Sequence, residues 1–260
     1  MTFKDIDKIY FLHLSDRYDR EKWMMNQIKQ IGFPKNKVNI WWTCRRPITN
    51  EISKYIPDLH NGQYQAYVNT SNPSIGGSTF NCAFEHYSII RTSYERGFNH
   101  ILIFEDDIEF LVDLNIFKKF IKLLPDNYNI CKFHYRLCDW GNNKNILCDS
   151  SNNKEIPNIN SKISNPYSLY KDHGQFVDNE YFSTSSVAYI IDREGMKSII
   201  NSLHKSFCTY DIVFWNIDDV NIYHCNYQLL TTQDHNRPNH LKLISDIGPI
   251  NTDLKFSQFK

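Results

Sequence analysis

A short apolar run, Ile101-Leu102-Ile103-Phe104, ends without a spacer in three consecutive carboxylates, Glu105, Asp106 and Asp107. So short and continuous a run, bounded by polar residues, reads as a strand buried on both faces of a largely parallel sheet. In open sheets of that kind the ligand crevice lies outside the carboxyl ends of the strands, which puts the three acids at its lip. Side chains alternate along an extended chain, so Glu105 and Asp107 are expected on one side and Asp106 on the other. Carboxylates gathered at such a lip suit a hard divalent cation, Mg²⁺ or Mn²⁺, which can also hold a substrate phosphate. The alternative at this point is a set of solvated acids opening the next loop.

The flanking segments alternate in the same way. "KIYFLHL", Lys8 to Leu14, reads as a first strand, and the helix after it spaces Trp23, Met24, Ile28 and Ile31 on one face, with Gly32 as its stop. "VNIWW" follows as a second strand. From Thr43 to about Gly77 the chain is polar and only patchily periodic, as expected of an excursion over the sheet edge. Helical spacing then resumes through Phe80, Ala83, Phe84, Tyr87, Ile90 and Tyr94, ends near Gly97, and feeds directly into the strand that carries the acids. "LNIFKKFIKLL" is a further amphipathic helix stopped by Pro125, and "YNICKFHY" a further strand. Residues 136–180 are rich in Asn, Ser and Lys and read as a long irregular insertion. "SSVAYII" and "REGMKSIINSLH" close the pattern as a strand and a helix. Without internal repeats, this alternation predicts one α/β domain over residues 1–260, a Rossmann-like, mostly parallel sheet with helices on both faces.

Charge removes some functions from consideration. Lys+Arg and Asp+Glu both number 29, so no global field attracts nucleic acid or an anionic membrane. The seven cysteines are an odd number, and Cys131, Cys138 and Cys148 lack the paired spacing of a zinc site, so reduced, buried cysteines are expected. "MTFKDIDKIYFLHL" has charges where a signal peptide needs an apolar core, and no run reaches the length of a membrane span. A cytoplasmic location is the expectation.

Four stretches, taken in order, carry a resemblance. "YFLHLSDRYDR" resembles the first-strand signature of glycosyltransferase family 25, and "CAFEHYSIIRTSYERGFNHILIFEDDIEF" resembles its Cys-Ala-Leu-Ser-His helix leading into a Leu-Glu-Asp-Asp strand end. "STSSVAYIIDREGMKSII" is similar to its Ala-Tyr-Leu-Ile strand and following helix, and "TYDIVFW" to the Asp-centred stretch after it. That family contains bacterial lipooligosaccharide glycosyltransferases and collagen hydroxylysine galactosyltransferases. The resemblance implies a GT-A fold, a UDP-hexose donor, a divalent metal (Mn²⁺ or Mg²⁺) and inversion at the anomeric carbon. It also implies an acceptor that is a glycan or a hydroxylysine-type protein. His13 stands where the family usually has Asn, and Asn81 and Glu85 where it usually has Gly and Ser; the family's Gly-Glu is missing at Ser78 to Phe80.

Site residues follow from the two lines together. His13, Arg17, Arg20, Glu105 and Asp106 are the candidates for donor binding, since guanidinium forks suit a diphosphate or a nucleoside edge and a carboxylate suits ribose hydroxyls. For the arginines the alternative is an ordinary helix-start surface pair. Glu105 and Asp107 are the candidate metal ligands, with a third drawn from His224, His235 and His240; His235 is preferred because it lies in a polar loop after an apolar strand. Asp211 is the first candidate for the base that takes the acceptor proton, with Asp218 and Asp219 as alternatives. His86, mid-helix among apolar neighbours, is expected to be a hydrogen-bonded core histidine. Tyr135, Trp140, Tyr167, Tyr170, Phe176, Tyr181 and Phe182 mark the insertion as an acceptor side, or pin it to the core. A non-catalytic nucleotide-sugar or glycan binding module of the same fold is the competing function, and a nuclease is disfavoured by the neutral charge.

Overall fold

The computed structural model describes residues 1–44, 73–134, 136–139, 146–149, 169–172, 181–205, 210, 217 and 219–232. β1 (Lys8–Leu14) leads into α1 (Tyr18–Ile31). That helix stops where Gly32 takes a left-handed φ of 71° and its N–H bonds the Ile28 carbonyl, a conformation any Cβ would strain. β2 (Val38–Thr43), α2 (Pro73–Glu95) and β3 (His100–Glu105) follow. Next come β4 (Ile108–Phe110), α3 (Leu114–Lys122) and β5 (Ile130–Lys132). Asp113 fixes the start of α3 by accepting from the N–H groups of Asn115 and Ile116. The chain continues through β6 (Arg136–Asp139), β7 (Ile146–Asp149), β8 (Tyr170–Asp172), β9 (Tyr181–Thr184) and β10 (Ala188–Asp192). It then forms α4 (Arg193–Lys205), β11 (Ile222–Cys225) and β12 (Leu230–Thr232).

The main sheet has the order β2-β1-β3-β10-β5-β11-β8. β1, β2 and β3 are mutually parallel, as are β5 and β11, while β10 runs against both of its neighbours and β8 against β11. The expected mostly parallel α/β sheet is therefore present, with one reversed strand in its middle. Strand alternation divides the core between two faces. Ile9, Phe11, Leu102 and Phe104 pack with Met24 of α1 and Phe117 and Phe120 of α3. Tyr10, Leu12, Ile101 and Ile103 pack with Ala83 and Ile90 of α2 and Met196 and Ile199 of α4. Helices thus cover both faces, because each apolar strand needs a partner layer on each side.

Two expectations need correction. Residues 136–180 are not wholly irregular: β6 pairs with β7 and β9 in a small antiparallel sheet, and β8 edges the main one. Strands of three or four residues, such as "RLCD" and "YKD", are too short for a readable period. The cysteines are also not uniformly buried. Cys131 and Cys225 are, and burial lifts both thiols, that of Cys225 up to about 12, but Cys44 is exposed and Cys82 half-buried. Among the described residues no helix is long and apolar enough to cross a membrane.

Candidate active site

β3 stops at Glu105, and Asp106 and Asp107 form the turn into β4, which pairs with β12. α1 holds that turn in place. The indole Nε1 of Trp23 donates to the Ile108 carbonyl at 2.8 Å, and the Phe110 N–H donates to Gln27 Oε1 at 2.9 Å. The register of β1 against β3 pairs Leu12 with Glu105, so the next residues, His13 and Asp106, meet on the α1 face that Phe11 and Phe104 line below them. There His13 Nδ1 lies 2.7 Å from Asp106 Oδ2, and Arg20 Nη1 donates to Asp106 Oδ1 at 2.9 Å. The same guanidinium reaches Asp107 Oδ2 at 3.7 Å. All four side chains are buried. A buried carboxylate needs such partners, because desolvation would otherwise favour its neutral form. His13 Nε2, also buried, has no hydrogen-bond partner among the described residues. The half-exposed ring of Trp42 stands edge-on to the His13 ring at 5.0 Å, at the mouth of this cluster.

Glu105 turns to the opposite face, continuing the side of Ile101 and Ile103. Its Oε1 accepts from Ser186 Oγ at 3.1 Å and lies 3.4 Å from His86 Nε2. Burial pushes this carboxyl up, and the His86 imidazole and Ser186 hydroxyl outweigh it, so the group ends below the usual carboxylate range. His86 Nδ1 meets the Tyr189 hydroxyl at 2.9 Å, Tyr189 donates to the Tyr210 hydroxyl at 2.9 Å, and the Tyr210 ring stacks on the imidazole at 4.3 Å. Burial, then the neighbouring Tyr210, hold the Tyr189 phenol well above its ordinary value. His86 is thus a hydrogen-bonded core histidine.

The structure brings His13, Arg20, Asp106 and Asp107 together and sets Glu105 apart. Alternation separates Glu105 from Asp106 as expected, but Asp107 sits in the turn, where the strand period no longer applies, and approaches Arg20. Arg17 closes its fork on Asp19 at 2.8 and 2.7 Å, and that guanidinium holds the Asp19 carboxyl below the usual range. His224 is buried inside β11, in register with Lys132 and Lys171, and not in a loop. Asp219 is exposed with a left-handed φ of 62°, a turn conformation that Asp tolerates. Asp211, Asp218, His235 and His240 lie outside the described residues, as do Tyr135, Trp140, Tyr167 and Phe176. The Tyr170 hydroxyl donates to the Phe120 carbonyl at 2.6 Å, so this aromatic pins its segment to the core. Ser186, Tyr189, Tyr210 and Cys82 were not foreseen. The spacing of Cys82 and His86, one helical turn apart, was the legible signal for Cys82.

The model of glycosyltransferase family 25 (LPS biosynthesis protein) matches residues 6–214. No curated protein matches the chain.

Proposed function

Because the chain belongs to glycosyltransferase family 25, a family of glycosyltransferases, we propose that it moves a hexose, galactose or glucose, from a UDP-sugar to a hydroxyl of a glycan or hydroxylysine-type protein. The observation that carries this reading is the acidic turn at the carboxyl ends of parallel β1 and β3, with the Arg20 guanidinium against Asp106 and Asp107. Both oxygens of Asp106 face positive or N–H groups, so its part is to fix the turn, with Arg20 as a positioning residue. The buried Nε2 of His13, without a hydrogen-bond partner among the described residues, is the polar atom we assign to the donor nucleotide, with Trp42 as an aromatic face beside it.

The donor set at the turn fits a hard cation. Mg²⁺ and Mn²⁺ need only one or two carboxylates when substrate phosphates complete the shell, and Asp107 offers one in the turn just past the end of β3. With Glu105 turned to the other face, Asp107 becomes the main protein ligand of the seat, and His235 remains the proposed companion. A cation there supplies counter-charge to the leaving diphosphate, an interaction that strengthens in the transition state. Asp211 takes the proton from the acceptor hydroxyl as the new carbon–oxygen bond forms. The bond from the anomeric carbon to the diphosphate breaks on the opposite side, its electron pair leaves with UDP, and the configuration inverts. Residues 136–180 form the acceptor side.

A donor screen that reads UDP release with and without Mn²⁺, paired with calorimetry of UDP binding, tests this. Mn²⁺-strengthened UDP binding and release from one UDP-hexose are expected. Equal UDP affinity in Mn²⁺ and in EDTA would remove the metal, and no release from any UDP-hexose would remove the donor.

A further inference from the structure

On the face of β3 that the donor reading does not use, a thiol, an imidazole and a carboxylate converge. Cys82 and His86 are four residues apart on α2, so they project over the same patch, and Glu105 at the end of β3 meets them. One ligand atom from each lies within 4.8 Å of the other two. We propose that Cys82, His86 and Glu105 form a site for a thiophilic divalent transition metal of the Zn²⁺ type, separate from the hard-cation seat at Asp107.

Three observations support it. First, the spacing is near that of a bound tetrahedral ion, whose ligand atoms stand roughly 3.3–3.8 Å apart given bonds of about 2.0–2.3 Å. His86 Nε2 and Glu105 Oε1, at 3.4 Å, are already within that range, and modest rotation of the half-buried Cys82 closes the rest. Second, the outer partners are in place. The Tyr189 hydroxyl, itself bonded to Tyr210, holds His86 Nδ1 and can accept its N–H when Nε2 binds an ion, while Ser186 donates to Glu105. Metal-bound histidines and carboxylates are oriented by such partners. Third, the cluster joins a thiol, an imidazole and a carboxylate within 4.8 Å, a mixed donor set that a borderline metal engages as a whole, whereas a proton shared by His86 and Glu105 engages only two of the three. Cys82 and Glu105 are each partly exposed, which gives the ion and a fourth, solvent-derived ligand a way in. Binding releases the thiol proton to the medium as the sulfur–metal bond forms.

The test uses the full chain. Co²⁺ added to metal-free protein should give a thiolate-to-cobalt charge-transfer band that saturates at one equivalent and is displaced by Zn²⁺, and Cys82→Ser should abolish it. Tyr189→Phe, with folding checked by thermal unfolding, should lower Zn²⁺ affinity about 10- to 100-fold, and Glu105→Gln serves if that variant does not fold. Asp107→Asn should leave the band intact, so a failed UDP experiment and a failed Zn²⁺ experiment are told apart. Absence of the band in the wild-type protein overturns the site in favour of the proton-bridged pair. A band that survives Cys82→Ser assigns the metal to another cysteine and overturns it equally.

Discussion

The two faces of one strand end differ in kind. On the α1 side, Asp106 and Asp107 meet the Arg20 guanidinium, which carries charge at every pH of interest, and His13 closes the cluster on Asp106. On the α2 side, Glu105 meets an imidazole, a hydroxyl and, one hydrogen bond further, the phenols of Tyr189 and Tyr210. Fixed charge suits the first side to holding a phosphate-bound ion in place. An imidazole and a thiol beside the carboxylate suit the second to a softer ligand. The lesson is that a three-letter acidic motif need not be one site. A strand that ends inside it distributes its members by alternation, and the turn residue goes wherever the nearest cation draws it.

The sharpest way to break this contrast is through the acceptor base. Asp211, the proposed base, has no part in the proposed hold on the donor at Asp107. Asp211→Asn should therefore cut sugar transfer by about two to four orders of magnitude while leaving UDP affinity nearly unchanged, and Asp107→Asn should weaken Mn²⁺-dependent UDP binding together with transfer. Single-turnover transfer rates beside calorimetric UDP affinities decide it; loss of UDP binding in Asp211→Asn would merge the two sites. Next in size is Arg20→Ala. It strips a buried cation from Asp106 and should cost about 3–5 kcal/mol in urea unfolding. If the cost stays below about 1 kcal/mol, the pair is no tighter than a surface one. Tyr189→Phe should cost less, about 1–3 kcal/mol, by leaving His86 Nδ1 without its hydroxyl partner. A larger loss than that of Arg20→Ala in the same assay would reverse the ranking of the two faces.

Much of this was readable in advance because it depends on periodicity. The strands 8–14 and 101–104, the helix that Gly32 ends and the helix from Phe80 to Tyr94 announce themselves through apolar spacing, and the two-faced sheet follows from their order. Partner choice was not readable. That His13 and Arg20 converge on Asp106 depends on the register of β1 against β3, and no spacing within either segment encodes it. Asp107 left its expected side because the strand stops at Glu105, and strand ends are the least determined feature of a sequence pattern. Arg17 looked equivalent to Arg20 in "DRYDR", but Arg17 precedes the helix and closes its fork on Asp19, while Arg20 in the first turn reaches the acidic turn. β6 to β8 escaped for a simpler reason: three or four residues cannot display a period.

The smallest predicted effect lies at the far end of the same strand and is a control on both faces. His100 opens β3, and its Nδ1 pairs with the Tyr128 hydroxyl at 2.9 Å. Burial holds its pKa below the ordinary 6.5, with the Asp192 carboxylate opposing but not cancelling that effect. Between the depressed folded value and 6.5, the unfolded chain therefore binds a proton that the folded chain does not. Under that condition stability rises with pH, and it is lost as pH falls below 6.5 towards the folded value. Asp192 has the opposite sign in more acidic solution, because burial raises its carboxyl and folding then favours its protonated form. His100→Gln keeps a polar partner for Tyr128 and removes the titration, so urea unfolding midpoints measured above and below pH 6.5 should differ less in the variant than in the wild type. The same pH slope should persist in Arg20→Ala and Tyr189→Phe, since neither touches His100. An unchanged slope in His100→Gln would show that the acid sensitivity does not arise at this end of the strand.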